Sequence, residues 1–311
     1  MRQEVLYTLE TPYRQKFEIE GFRFGSGEKA CAVVAGVRGN EVQQMYVCAL
    51  LVQRLRRLEE QGAIAPDCEL LVVPCVNHFS MNVGSRFWAM DKTDINRMFP
   101  GYDHGETTQR IAAALFEAVQ GYKYGIHFAS FYLPGDFVPH VRIMNTGYQT
   151  SSLGNLFGLP YVVMREPQPI DTTTLNYNWQ IWETQTFSLY THETDSIDPD
   201  AARQAVEAIV RFLAVKGLVR REAPALESAP VLFREDRLHN VLSSTGGLLF
   251  CRRKPGDAVQ AGDVLGDILD PCTCAVLEQL RADCRGRVFF LHRAQLIDGH
   301  EVAFRILPDS V

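Results

Sequence analysis

Residues 30–60 read ACAVVAGVRGNEVQQMYVCALLVQRLRRLEE. The first eight, to Val37, form the kind of short apolar run that is buried as a strand. From Glu41 onward Val42, Met45, Tyr46, Ala49 and Leu50 recur at helical spacing. Gly36 and Gly39 let the backbone turn between the two, so the stretch is one strand–turn–helix unit. Working outward, the alternation repeats. ELLVVPC (69–75) is the next strand, and ETTQRIAAALFEAVQ (106–120) is a helix with Ile111, Leu115 and Val119 on its apolar face. YGIHFAS (124–130), PYVVMRE (160–166) and TFSLYTHE (186–193) are further strands, and Asp200–Lys216 is a last helix stopped by Gly217. The pattern predicts an α/β fold, a sheet with helices on its faces.

Residues 219–230 carry prolines and charges without periodicity and read as a linker after an α/β domain spanning residues 1–218. From 231 to 311 the texture changes to short apolar segments separated by glycine turns, among them GGLLF, KPGDAV, AGDVLGDI and GRVFFL. Pro255-Gly256-Asp257 and Ala261-Gly262-Asp263 place two tight turns around one short strand, which predicts a small all-β barrel or hammerhead. No lysine stands at a hairpin tip to carry a prosthetic group. The expected role of this β-domain is to shield an active site or to build a homo-oligomer contact.

A net charge of -6 over 311 residues leaves no cation excess to neutralise phosphates, which argues against a general nucleic-acid or anionic-membrane partner. No apolar run reaches the ~18 to 20 residues that cross a bilayer, and the first fifteen residues lack the apolar core of a signal peptide. The expected location is cytoplasmic. The eight cysteines are scattered, several inside apolar runs, and Cys272 and Cys274 have C-x-C spacing, so they read as reduced core thiols.

Four places could carry chemistry. AGVRGNE (35–41) lies where a strand gives way to a helix, the carboxyl-end crevice where open α/β sheets bind ligands. Glu41 there has a blander alternative, complementing the helix dipole. Val76–Gly101 is a long aperiodic loop holding GSR (84–86) and DINRMFPG (94–101). Its arginines and Asn96 suit a carboxylate receptor, because a guanidinium presents paired donors to two oxygens; solvated surface ion pairs are the alternative. His127 sits on an apolar strand, where a lone histidine is more often a hydrogen-bonded core residue. Glu193, in THETD (191–195), could act as a general base if partly desolvated.

The order of these residues resembles the succinylglutamate desuccinylase/aspartoacylase family, zinc-dependent deacylases with a zinc-carboxypeptidase-like mixed sheet and a small C-terminal β-domain. GSR followed by DINRMFPG is the strongest marker. The resemblance implies Glu41 and His127 as zinc ligands, Glu193 as general base and Arg86 as the group that polarises the scissile carbonyl. It also implies Asn96 and Arg97 as the receptor for a substrate carboxylate. FYLPGDFVPHVR (131–142) follows His127 and is expected to line the pocket, with Arg142 as a second anchor. The implied reaction is hydrolysis of a small carboxylate-bearing N-acyl amino acid by metal-activated water.

Two positions depart from the family pattern. Arg38 stands where the first histidine ligand is expected, and Gly125-Ile126-His127 replaces Asp-Leu-His. A guanidinium cannot ligate zinc, and a catalytic zinc takes three protein ligands plus water. Three readings follow. A substitute ligand could come from His78, His104, His140 or His192. The site could work without metal, with Arg38 paired to Glu41 and, together with Arg86, forming a cationic hole. Or the chain is a degenerate relative that binds a small acidic ligand or partner without catalysis.

Overall fold

The structure is a computed structural model that describes residues 1–12, 15–128, 130–131, 133–226 and 228–309. Tyr132, in the segment expected to line the pocket, lies outside them. Ten strands and five helices build the larger unit: β1 Arg2–Leu9, β2 Phe17–Ser26, β3 Glu28–Val34, α1 Val42–Glu60, β4 Cys68–Val73, α2 His78–Met81, α3 Thr107–Val119, β5 Tyr124–His127, β6 Gly135–Phe137, β7 His140–Met144, β8 Tyr161–Arg165, α4 Leu175–Ile181, β9 Gln185–Tyr190, α5 Pro199–Val215 and β10 Val231–Arg234. Nine of the strands form one mixed sheet in the order β1-β2-β4-β3-β5-β9-β7-β8-β10. Its centre, β4-β3-β5-β9, is parallel, as the strand–helix alternation predicts. β7 runs antiparallel to β9, with β8 and β10 parallel to β7.

Successive side chains of a strand point to opposite faces, and β3 shows how two cores arise. Cys31, Val33 and Ala35 pack under Val47, Leu51 and Leu55 of α1 and Ala205 and Ile209 of α5. Ala32 and Val34 face the other way, against Ile111 and Leu115 of α3 and Leu175 and Trp179 of α4. Burial on both faces is why these strands are continuously apolar in sequence.

Three features differ from expectation. The β1–β2 hairpin precedes the first strand read from the sequence, although Phe17, Ile19 and Phe24 of β2 are buried. Residues 231–234 extend the larger sheet as β10 instead of opening the β-domain. The rest of that domain, as described, is two open antiparallel sheets, not a closed barrel. One orders His239–Leu242, Val302–Pro308, Gly286–His292 and Ala258–Val259; the other orders Val276–Arg281, Val264–Leu269, Gly247–Cys251 and Leu296–Ile297. β6, which follows closely on His127, joins the first of these sheets by pairing with Gly286–His292.

Cys31, Cys48 and Cys68 are buried thiols, whereas Cys251, Cys272 and Cys274 are exposed, so the core-thiol reading holds only for the α/β unit. No helix among the described residues is long and apolar enough to cross a membrane.

Candidate functional site

A cavity of about 380 Å³ lies on one face of the sheet. Arg142 and Met144 of β7 and Ser188 and Tyr190 of β9 are alternate residues and so share that face; His127 ends β5, and Arg165 ends β8. Asn96 and Arg97 on the DINRMFPG loop, Asp171 and Thr174 from the segment that leads into α4, and Asn176 of α4 itself complete much of the wall. Four guanidinium groups, those of Arg38, Arg97, Arg142 and Arg165, thus line it, with one carboxylate, that of Asp171.

Arg38 is 3% exposed. Its Nε donates to both oxygens of Asp94 at 3.1 Å, and Nη2 lies 2.9 Å from Asp94 Oδ2. Nη1 donates to the Ser130 hydroxyl at 3.0 Å and stands 3.7 Å from Glu41 Oε1. Burial opposes the charge, but Asp94 and Glu41 outweigh it and hold the guanidinium more firmly protonated than usual.

Glu41 is fully buried just before α1. Oε1 accepts the Ser130 N–H at 3.1 Å and its hydroxyl at 2.9 Å, and Oε2 accepts the Arg38 N–H at 3.2 Å. It does more than complement a helix dipole: its carboxylate organises the turn around Arg38. His127 is 1% exposed, and its Nε2 has no hydrogen-bond partner among the described residues. Burial, and then the Arg38 charge, push the His127 pKa down to about 3, so the imidazole is neutral.

These residues do not fit a zinc ion. The first ligand position is a guanidinium, and both oxygens of Glu41 already accept protein hydrogen bonds. No third donor joins Glu41 and His127 within metal-binding reach among the described residues; the one such cluster there is His239, Asp283 and Cys284, on the β-domain. The substitute histidines are engaged elsewhere. His78 stacks on Phe17, His104 pairs with Asp103, His140 stacks on Tyr190, and His192 lies 3.3 Å from Asp136. Gly125 has a packing reason for differing from the family's aspartate: a Cβ there would meet the Trp179 ring at 2.8 Å.

The structure brings Arg38, Asn96, Arg97, His127 and Arg142 to the cavity. Arg86 stands just behind it, donating from Nη1 to the carbonyl of Phe131, a lining residue, at 3.2 Å. Glu193 does not line the cavity; its Oε2 accepts from Arg293 of the β-domain at 2.7 Å, and its Oε1 accepts from Ser196 at 2.5 Å.

Several residues escaped the sequence reading. Asp94 was within the quoted motif but unassigned. Ser130, Arg165, Asp171 and Asn176 carry no local signal. Glu235 sits behind the wall, its Oε1 accepting from Arg142 at 2.6 Å and from Arg305 at 3.0 Å, while its Oε2 lies 3.4 Å from Arg165.

Two lining residues hold polar atoms without partners among the described residues, His127 Nε2 and Asn176 Oδ1. A buried polar atom left unmatched is costly. Arg97 is the most available cation. Nη1 donates to the Ile170 carbonyl at 2.6 Å, and the carboxylate of Asp171 is 3.9 Å away. Burial, then repulsion from Arg38, lower its pKa, the mark of a charge short of counter-ions.

Residues 28–215 match the family model of the succinylglutamate desuccinylase/aspartoacylase catalytic domain. No curated protein matches the chain. Among solved structures, it resembles the product-bound ectoine utilization protein of Ruegeria pomeroyi, with a TM-score of 0.81 and 19% identity over 96% of this chain and 93% of that one. A succinylglutamate desuccinylase/aspartoacylase from Rhodobacter sphaeroides gives a TM-score of 0.82 and 18% identity over 99% and 96% of the two chains. A succinylglutamate desuccinylase from a Silicibacter species gives 0.83 and 19% over 98% and 94%. At such identities these likenesses concern the fold.

Proposed function

Because this chain belongs to the succinylglutamate desuccinylase/aspartoacylase family, a family of deacylase hydrolases, we propose that it binds a small carboxylate-bearing molecule of the N-acyl amino acid class in the arginine-lined cavity, without hydrolysing it. The observation that carries this reading is the wall itself: among the described residues that line it are four arginines and a single carboxylate, that of Asp171. A guanidinium pairs with carboxylate oxygens through parallel donors. Arg97, whose ion pair with Asp171 is long at 3.9 Å, is the group that receives the acid. Asn96 and Arg142 line the same cavity.

Hydrolysis by zinc-activated water, which the family resemblance implies, finds no fitting donor set among the described residues. The bases that such chemistry needs are also committed. Glu193 is held by Arg293 and Ser196, and Asp171 Oδ2 accepts from the Gln168 N–H while lying 2.9 Å from Arg165. Neutral His127 remains as a hydrogen-bonding group for the ligand.

Isothermal titration with N-acetyl-L-glutamate, and with its diamide, in which both carboxylates are replaced by amides, as the uncharged control, tests the proposal. The acid is expected to saturate one site and the amide to bind at least tenfold more weakly. Arg97→Ala, which removes a charged hydrogen bond of about 1.5 to 3 kcal/mol, is expected to weaken the acid by roughly 10- to 100-fold. Release of free glutamate by the parent protein, or equal binding of acid and amide, would overturn the reading.

A further inference from the structure

Arg38 occupies the position that the family resemblance gives to a metal ligand, and the contacts around it show more than the loss of one. Its guanidinium is 3% exposed and held on two sides, by Asp94 through Nε and Nη2 and by Ser130 through Nη1. Glu41, one of the remaining family ligands, lies 3.7 Å away, and His127, the other, lines the same cavity. The Glu41 oxygens, which would otherwise be a strong pull for a cation, are turned onto the backbone and side chain of the Arg38–Ser130 pair.

We infer that Arg38 is a built-in substitute for a metal cation: its guanidinium holds a fixed positive charge beside Glu41, in the cavity that His127 also lines, and exchanging it for an imidazole opens that place to a divalent ion. An arginine is permanently charged and cannot dissociate, so the charge of this cavity is independent of metal supply. The inference rests on the proposed ligand-binding reading only for what the charge serves. The metal count stands apart from it.

The probe is zinc chloride alone, read by calorimetry and by metal content after gel filtration. All proteins carry Cys284→Ala, because the donor atoms of His239, Asp283 and Cys284 lie within 4.8 Å of one another and offer zinc an unrelated surface site. The parent is expected to retain no zinc that His127→Ala removes. Arg38→His is expected to retain about one additional zinc per chain, through three ligands, and Arg38→His/His127→Ala to lose it.

Zinc in the parent that disappears with His127→Ala would overturn the inference, as would a folded Arg38→His protein that binds no more than its double variant. Should Arg38→His fail to fold because Asp94 is left without its partner, Arg38→His/Asp94→Asn replaces it, and the parent comparison with His127→Ala decides the first half unaided. Binding of N-acetyl-L-glutamate by the parent in chelator is measured separately, so a failed ligand and a failed metal inference give different results.

Discussion

Glu235→Ala is expected to destabilise the fold by about 3 to 5 kcal/mol, read as a lower urea midpoint with an unchanged slope. The reason is the three arginines that share this carboxylate. Arg142 donates to it at 2.6 Å while lying between the rings of Phe131 and Tyr190, 5.5 and 5.7 Å from their centres. Burial opposes the charge of Glu235, yet Arg142, with Arg165 and Arg305, prevails and holds its pKa down to about 2. Removing the carboxylate leaves the Arg142 charge buried without its main counter-ion. Glu235→Ala/Arg142→Met is expected to recover part of the loss, because an apolar replacement of a buried ion pair is often nearly neutral. A single variant within 1 kcal/mol of the parent would show that Glu235 does not hold this wall together.

Mild acid is expected to destabilise the protein before its carboxylates titrate. Burial is the main reason that the pKa values of His127 and His140 both fall to about 3, reinforced by Arg38 for His127 and partly offset for His140 by the Val138 carbonyl. An unfolded histidine titrates near 6.5. Between these values the unfolded chain binds more protons than the folded one, so this stability is present above about pH 6.5 and is lost as pH falls. Two such histidines remove about 4 kcal/mol by pH 5. His192 contributes with the opposite sign. Its hydrogen bond to Asp136 raises its pKa, giving stability that is present below the ordinary histidine value and lost as pH rises through the folded one. Thermal melts from pH 8 to 5 check the balance: a midpoint unchanged over that span would sink the expectation, and His140→Gln should flatten the slope by about one proton.

What could be read in the sequence were features local in the chain. Strands buried on both faces are continuously apolar, which made the β3–α1 unit and the central parallel strands legible. The DINRMFPG loop was legible because aperiodic polar sequence of that length is rare inside a compact domain. The β1–β2 hairpin is hard to read because the alternation of Phe17 and Ile19 slips by one residue at Glu20-Gly21 before Phe22 and Phe24. The roles of charged groups depend on partners that sequence proximity does not reveal. Arg38 meets Asp94 and Ser130, 56 and 92 residues away. Glu193 has the residue type and strand-end position of a base, but Arg293, 100 residues further on, takes up its carboxylate. Glu235 meets Arg142 across 93 residues. Residue type announced that this region handles charge; only the fold settled which charges are paired.

The pairing of β6 with Gly286–His292 has a consequence for how the molecule comes apart. Phe131, Phe137, Tyr190 and Phe290 form one aromatic cluster across that junction, and Gly135 lies so close to Phe290 that a Cβ would stand 1.9 Å from the ring. Glu235, Arg293 and Arg305 reach back over the same boundary to hold Arg142, Glu193 and the cavity wall. The two architectural units are therefore expected to melt together, and differential scanning calorimetry that resolved two transitions would contradict this. A chain cut after residue 230 would not be a smaller working domain: its ligand cavity would have lost both its back wall and the strand that anchors it.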